Sequence, residues 1–81
     1  MIDTGGGNMT TYRFTIVVER DEDGIYIASC PALQGCYSQG DTYEEAVENI
    51  RDAIRLHIEA RREVGEPIPI ETAIDKVEID V

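Results

Sequence analysis

Seventeen acidic residues against seven basic ones give this chain of 81 residues a formal charge of −10. Such a field repels nucleic acid and anionic membrane; it favours a basic partner, or simply keeps a small protein soluble. The length allows one domain at most, no window approaches a membrane span, and one histidine with two cysteines cannot make a four-ligand nitrogen–sulfur zinc set.

The first segment, residues 1–11, reads MIDTGGGNMTT. It has no apolar pattern, so it is expected to be a disordered N-terminal segment. It has neither the basic start nor the apolar run of a signal peptide, and Met9 is a plausible alternative first residue, which leaves it open whether residues 1–8 are native. The folded domain is expected over residues 12–81. A domain of this size is marginal on its own core, so self-association to a dimer or tetramer is expected to add burial.

Tyr12 to Arg20 alternates as a strand, with Tyr12, Phe14, Ile16 and Val18 on one face. Asp21-Glu22-Asp23-Gly24 is a hairpin turn. Ile25 to Cys30 is a second strand, stopped by Pro31. Leu33 plugs the corner that follows, Cys36 to Gln39 is a short third strand, and Gly40 ends it. Thr42 and Glu45 stand at capping-box spacing. Acids gather at the start of the next segment and arginines toward its end, and the apolar residues recur at helical intervals. The pattern predicts a helix from Tyr43 to about Val64, closed by Gly65. Glu66-Pro67-Ile68-Pro69 is an extended linker. Val77, Ile79 and Val81 alternate with Glu78 and Asp80 as a last strand.

The order β-β-β-α-β predicts an α+β fold in which one helix packs on a mixed four-stranded sheet of order 3-2-1-4. Ile16 and Ile54 are expected to face each other in the core. The sheet face away from the helix is expected to carry Val17, and Tyr26 and Ala28 with it, as a surface for dimerisation or docking.

Catalytic chemistry finds little support. The β-β-β-α-β order is that of the first half of ribonuclease H, whose metal-dependent cleavage needs converging carboxylates. Here the middle of the first strand is Thr15-Ile16-Val17, without an acid. Asp21, Glu22 and Asp23 read as a solvated turn, and Glu44, Glu45 and Glu48 as helix-start acids. Ser29, Ser38 and Cys36 have no histidine nearby in sequence, and His57 reads as a structural residue on a helix flank. A disulfide between Cys30 and Cys36 is compatible with the corner, although buried free thiols suit a cytoplasmic chain better. No catalytic, cofactor-binding or metal-binding residues are assigned, and none for partner binding.

One ordered set of residues carries more. Asp23-Gly24 is followed by Tyr26 and Ala28, then Pro31, Leu33, Gly35-Cys36, Gln39-Gly40-Asp41-Thr42, and Glu44-Glu45-Ala46 with Asn49 and Ala53. From Tyr12 to about Val64, and in its Pro67-Ile68-Pro69 tail and closing valine-rich strand, the chain resembles the HicB-like antitoxin domain of bacterial and archaeal toxin–antitoxin systems. The resemblance implies a partial ribonuclease-H-like fold without nuclease chemistry. It also implies a partner, a small basic HicA-like toxin that cleaves RNA using a histidine. Many members of that family add a C-terminal DNA-binding segment. The seventeen residues after Val64 are acidic and read as linker plus strand, so operator binding by this chain alone is not expected. The alternative is a solitary, oligomeric domain of the same fold with another protein or a small molecule as partner.

Overall fold

Three short strands and one long helix form where the local chemistry allows them. The structure, a computed structural model, describes residues 11–81; the expected disordered start lies outside the described residues apart from Thr11. The elements are β1 (Val17–Arg20), β2 (Tyr26–Ser29), β3 (Tyr37–Gly40) and α1 (Tyr43–Val64). The strands form one antiparallel sheet of order β1-β2-β3, with Val18 opposite Ala28 and Ala28 opposite Ser38.

Each connection has an identifiable cause. In the first, Asp21 Oδ1 accepts from the amides of Asp23 and Ile25, both at 2.9 Å, and Gly24 supplies the left-handed backbone (φ 84°). In the second, the Leu33 amide donates to the Cys30 carbonyl and the Cys36 amide to the Leu33 carbonyl, at 3.0 and 3.1 Å. Those bonds fold Leu33 inward until it is 1% exposed. At the helix start Thr42 Oγ1 accepts from the Glu45 amide at 3.1 Å, and Glu45 Oε1 accepts from the Asp41 amide at 2.7 Å. This is the capping box read from the sequence, closed one residue earlier than its usual return bond. Gly65 ends the helix in the left-handed region (φ 75°), and the Glu66 amide returns to the Arg61 carbonyl at 2.8 Å.

The core lies between the sheet and α1. Ala28, Cys30, Leu33, Cys36, Ala46 and Ile50 are buried, and Phe14, Ile16, Val18, Tyr26 and Ile54 pack around them. The helix sits mainly over β3 and β2 and meets β1 least. A tight fit holds it there: a Cβ on Gly40 would lie 2.6 Å from the Ala46 amide nitrogen. Ser38 Oγ donates to the Ala46 carbonyl at 3.2 Å, and Asn49 Nδ2 donates to the Gln39 carbonyl at 2.9 Å.

Several expectations need correction. The first strand does not run from Tyr12, because Val17 pairs with Ser29 and the next partners on β2 turn away at Pro31. The fourth strand does not form, so the described sheet is three-stranded and antiparallel rather than mixed with order 3-2-1-4. After the helix, Arg61 Nη1 holds the Pro67 carbonyl at 2.8 Å, and Glu71 accepts from both the amide and the hydroxyl of Thr15, at 2.8 Å each. Thr15 is thus satisfied by a carboxylate instead of a strand backbone, and Pro67 and Pro69 have no amide to donate to a ladder. Residues 72–81 are exposed throughout. Tyr26 and Ala28 face the helix, because Ala28 is fully buried and the Tyr26 ring meets Tyr43 edge-on at 6.4 Å. By alternation, the outer face carries Val17, Ile27 and Tyr37. Ile16 and Ile54 flank the core while Ile50 occupies its centre.

Two substitutions test this packing by urea or thermal unfolding. Gly40→Ala should destabilise by roughly 1–3 kcal/mol, since the opposing atom is backbone and cannot step aside cheaply. Thr42→Ala should cost about 1 kcal/mol through loss of the cap. A Gly40→Ala protein as stable as the parent would show that the helix can lift from β3 freely.

Candidate interaction surfaces

Because α1 leans toward β3, an open groove of about 670 Å³ remains between the helix and the segment leading into β1. Its floor is apolar: Phe14, Ile16, Val47, Ile50, Ile54 and Ile58. Its rim is basic. Arg13, Arg51, Arg55 and Arg62 line it, four of the seven basic residues of the chain, with Glu59 as the acid among them. Arg55 also pairs with Asp52 at 2.8 Å, across an exposed helix turn. Arg62 lies over the Tyr12 ring, 5.6 Å from its centroid, and donates to the Tyr12 hydroxyl at 3.2 Å. Tyr12 stacks in turn on Phe14, with ring centroids 6.3 Å apart, which fixes one wall.

The opposite end of the domain is acidic. The pairing that sets Arg20 beside Tyr26, and Tyr26 beside Gly40, brings the β1–β2 turn and the helix start to the same end of the sheet. Asp21, Glu22, Asp23, Asp41, Glu44 and Glu45 are all exposed there. Arg20 lies over the Tyr26 ring at 5.6 Å, and Tyr43 remains half exposed beside it.

The residues weighed for chemistry are not assembled into a reactive site. Ser38 spends its hydroxyl on the helix backbone, and Ser29 lies in the outer sheet face. His57 is half-buried on α1 and is not among the groove residues. Asp21, Glu45 and Glu71 serve in turn, cap and tail contacts. Among the described residues, no three His, Cys, Asp or Glu side chains are grouped to hold a metal ion. Cys30 and Cys36 are free thiols, both buried. Burial pushes both up from the ordinary value of 9.0, and the Cys36 thiol beside it raises Cys30 further. No described helix is long and apolar enough to cross a membrane. The groove went unread in the sequence because its lining is split between two segments some thirty-odd positions apart; the signal present was the gathering of arginines along the helical segment.

The described residues thus form a small α+β domain with two surfaces of contrasting charge. Comparison with known proteins gives the class a family. The sequence pattern of the HicB-like antitoxins of bacterial toxin–antitoxin systems matches residues 14–80, and the chain belongs to that family. A UPF0150 protein of Synechocystis sp. is 49% identical over 65 residues, spanning 80% of this chain and 82% of that protein. Another, from Thermoplasma acidophilum, is 44% identical over 61 residues, 75% and 88% of the two chains. Antitoxin HicB 1 of Photorhabdus laumondii is 35% identical over 69 residues, 85% of this chain but 44% of that longer protein. The crystal structure of the N-terminal domain of Burkholderia pseudomallei antitoxin HicB superposes with a TM-score of 0.67 at 33% identity, over 75% of this chain and 72% of that one.

The thiols give a pH test. A group whose folded value is raised binds its proton more tightly in the native state, so its contribution is intact below the ordinary value and is lost as pH rises past it. Stability should therefore fall above about pH 9. The fall should be shallower in Cys30→Ala/Cys36→Ala than in the parent, measured by urea unfolding at pH 8 and pH 10. Equal slopes would mean that the thiols ionise freely in the folded protein.

Proposed function

We propose that this chain is the neutralising member of a toxin–antitoxin pair, a non-enzymatic protein that binds a small, basic, HicA-like RNA-cleaving toxin in the cytoplasm and blocks its active surface. One observation carries the reading: a member of the antitoxin family displays a dense acidic end that suits a basic protein. Burying such an end against a basic surface would pair charges that otherwise repel one another, and long-range attraction would speed the encounter. The folded unit that does this is residues 12–81. The same acidity argues against specific operator binding by these residues. The alternative, a solitary self-associating domain that binds another protein or a small molecule, draws its support from the open groove.

Pull-down and RNA-cleavage assays with the basic product of the neighbouring gene separate these readings. The expected result is a complex, suppressed cleavage, and an association rate that falls as salt rises. Reversing Glu22 and Asp23 to lysine, exposed side chains outside the helix cap, should slow association roughly tenfold, the scale of electrostatic steering. Divalent-dependent RNA cleavage by the purified chain itself would sink the non-enzymatic reading.

A further inference from the structure

We infer that the groove beside α1 is the seat of the C-terminal segment of a second copy of this chain, so that two copies exchange their tails. The inference is independent of any toxin contact, and it rests on a complementarity between two parts of one sequence. The groove offers an apolar floor, with Ile54, Ile58 and Phe14 at its centre, under a basic rim. The tail offers the inverse. Val77, Ile79 and Val81 alternate with Glu78 and Asp80, and all five side chains are exposed. Val77 is 77% exposed and Ile79 72%, values that leave these apolar groups almost entirely in water. In an extended segment the three apolar residues share one face. That face would lie on the floor, leaving the two acids on the other face of the segment, between the arginines of the rim.

The molecule's own tail does not take the place. The groove opens on the helix side of the Tyr12–Phe14 segment. Pro69, Ile70 and Glu71 lie against another side of that segment, in a separate cleft, and the two bonds from Thr15 to Glu71 pin the chain there. Everything after Glu71 points into solvent. To reach its own groove the tail would have to leave that cleft and cross the Tyr12–Phe14 segment, whereas the tail of a second copy need not, and the proposed exchange is reciprocal, with each copy giving a tail and receiving one. That arrangement closes on itself at two copies.

The test uses full-length chains. Light scattering and sedimentation at micromolar concentration should give a dimer that weakens as salt rises. Ile79→Asp should raise the dissociation constant roughly tenfold or more, since an unpaired carboxylate would enter an apolar floor. Its far-ultraviolet circular dichroism and melting temperature should match the parent at dilute concentration, because Ile79 is 72% exposed in its own domain. Occupancy is read by mixing two single variants, Ile58→Cys and Ile79→Cys, under mild oxidation. A disulfide-linked heterodimer between the two variants is expected, and reduction should dissolve it. A monomeric parent, a dimer indifferent to Ile79→Asp, or mixed single variants that form no disulfide-linked heterodimer would each overturn the proposal.

Discussion

The contact between Gly40 and Ala46 governs this domain. A hydrogen in place of a side chain at Gly40 lets the first turn of α1 rest directly on the end of β3, where even a methyl group would strike backbone. Ala46 and Ala28 extend the same economy of volume into the layer between helix and sheet, both fully buried. Close approach on the β3 side tilts the burden of packing that way. The helix therefore covers two strands well and the third poorly, and the apolar flank it leaves over β1 becomes a groove. Tight packing at one edge and an open cleft at the other are two results of one placement.

Much of this was legible in the sequence, wherever a local rule sufficed. The helix bounds, the Thr42 and Glu45 cap, the Gly65 stop and the Asp21 turn all depend on neighbours within a few residues, and all formed as read. Reading failed where the outcome depended on a distant partner. Tyr12–Ile16 has strand chemistry, yet the opposite chain turns away at Pro31 and leaves it without a ladder. Val77–Val81 has strand chemistry too, but the chain reaches it after two prolines and after Glu71 has taken the available donors of Thr15. The facing of Tyr26 and Ala28 was misjudged because the register of β2 is set by Ala28 meeting the helix, a fact of tertiary contact and not of alternation alone. No residue was assigned to partner binding from sequence, and the groove explains the difficulty: its floor is ordinary apolar patterning on a helix and on the segment before β1, left uncovered by a helix placement that periodicity does not encode.

Net charge conceals an internal division. Against an overall −10, the acids dominate one end while four of the seven bases gather about the groove. A partner that is basic and one that is acidic and apolar would thus be drawn to different parts of the same small surface. Family membership places the chain among the antitoxins of toxin–antitoxin systems, and the separation of charge gives its surface two regions of opposite character.

The bond from Asn49 to the carbonyl of Gln39 has a consequence for how such a protein stays dispersed. The Cys30 amide donates to the Cys36 carbonyl at 3.0 Å, which sets the phase of the antiparallel ladder and turns the Gln39 peptide outward. An outward peptide on a border strand is a template for stacking chain upon chain into fibrils. Asn49 occupies that acceptor, and the helix above it shields the border. With that acceptor occupied, pairing of another strand along β3 loses one of its bonds, and edge-to-edge growth from this border is disfavoured.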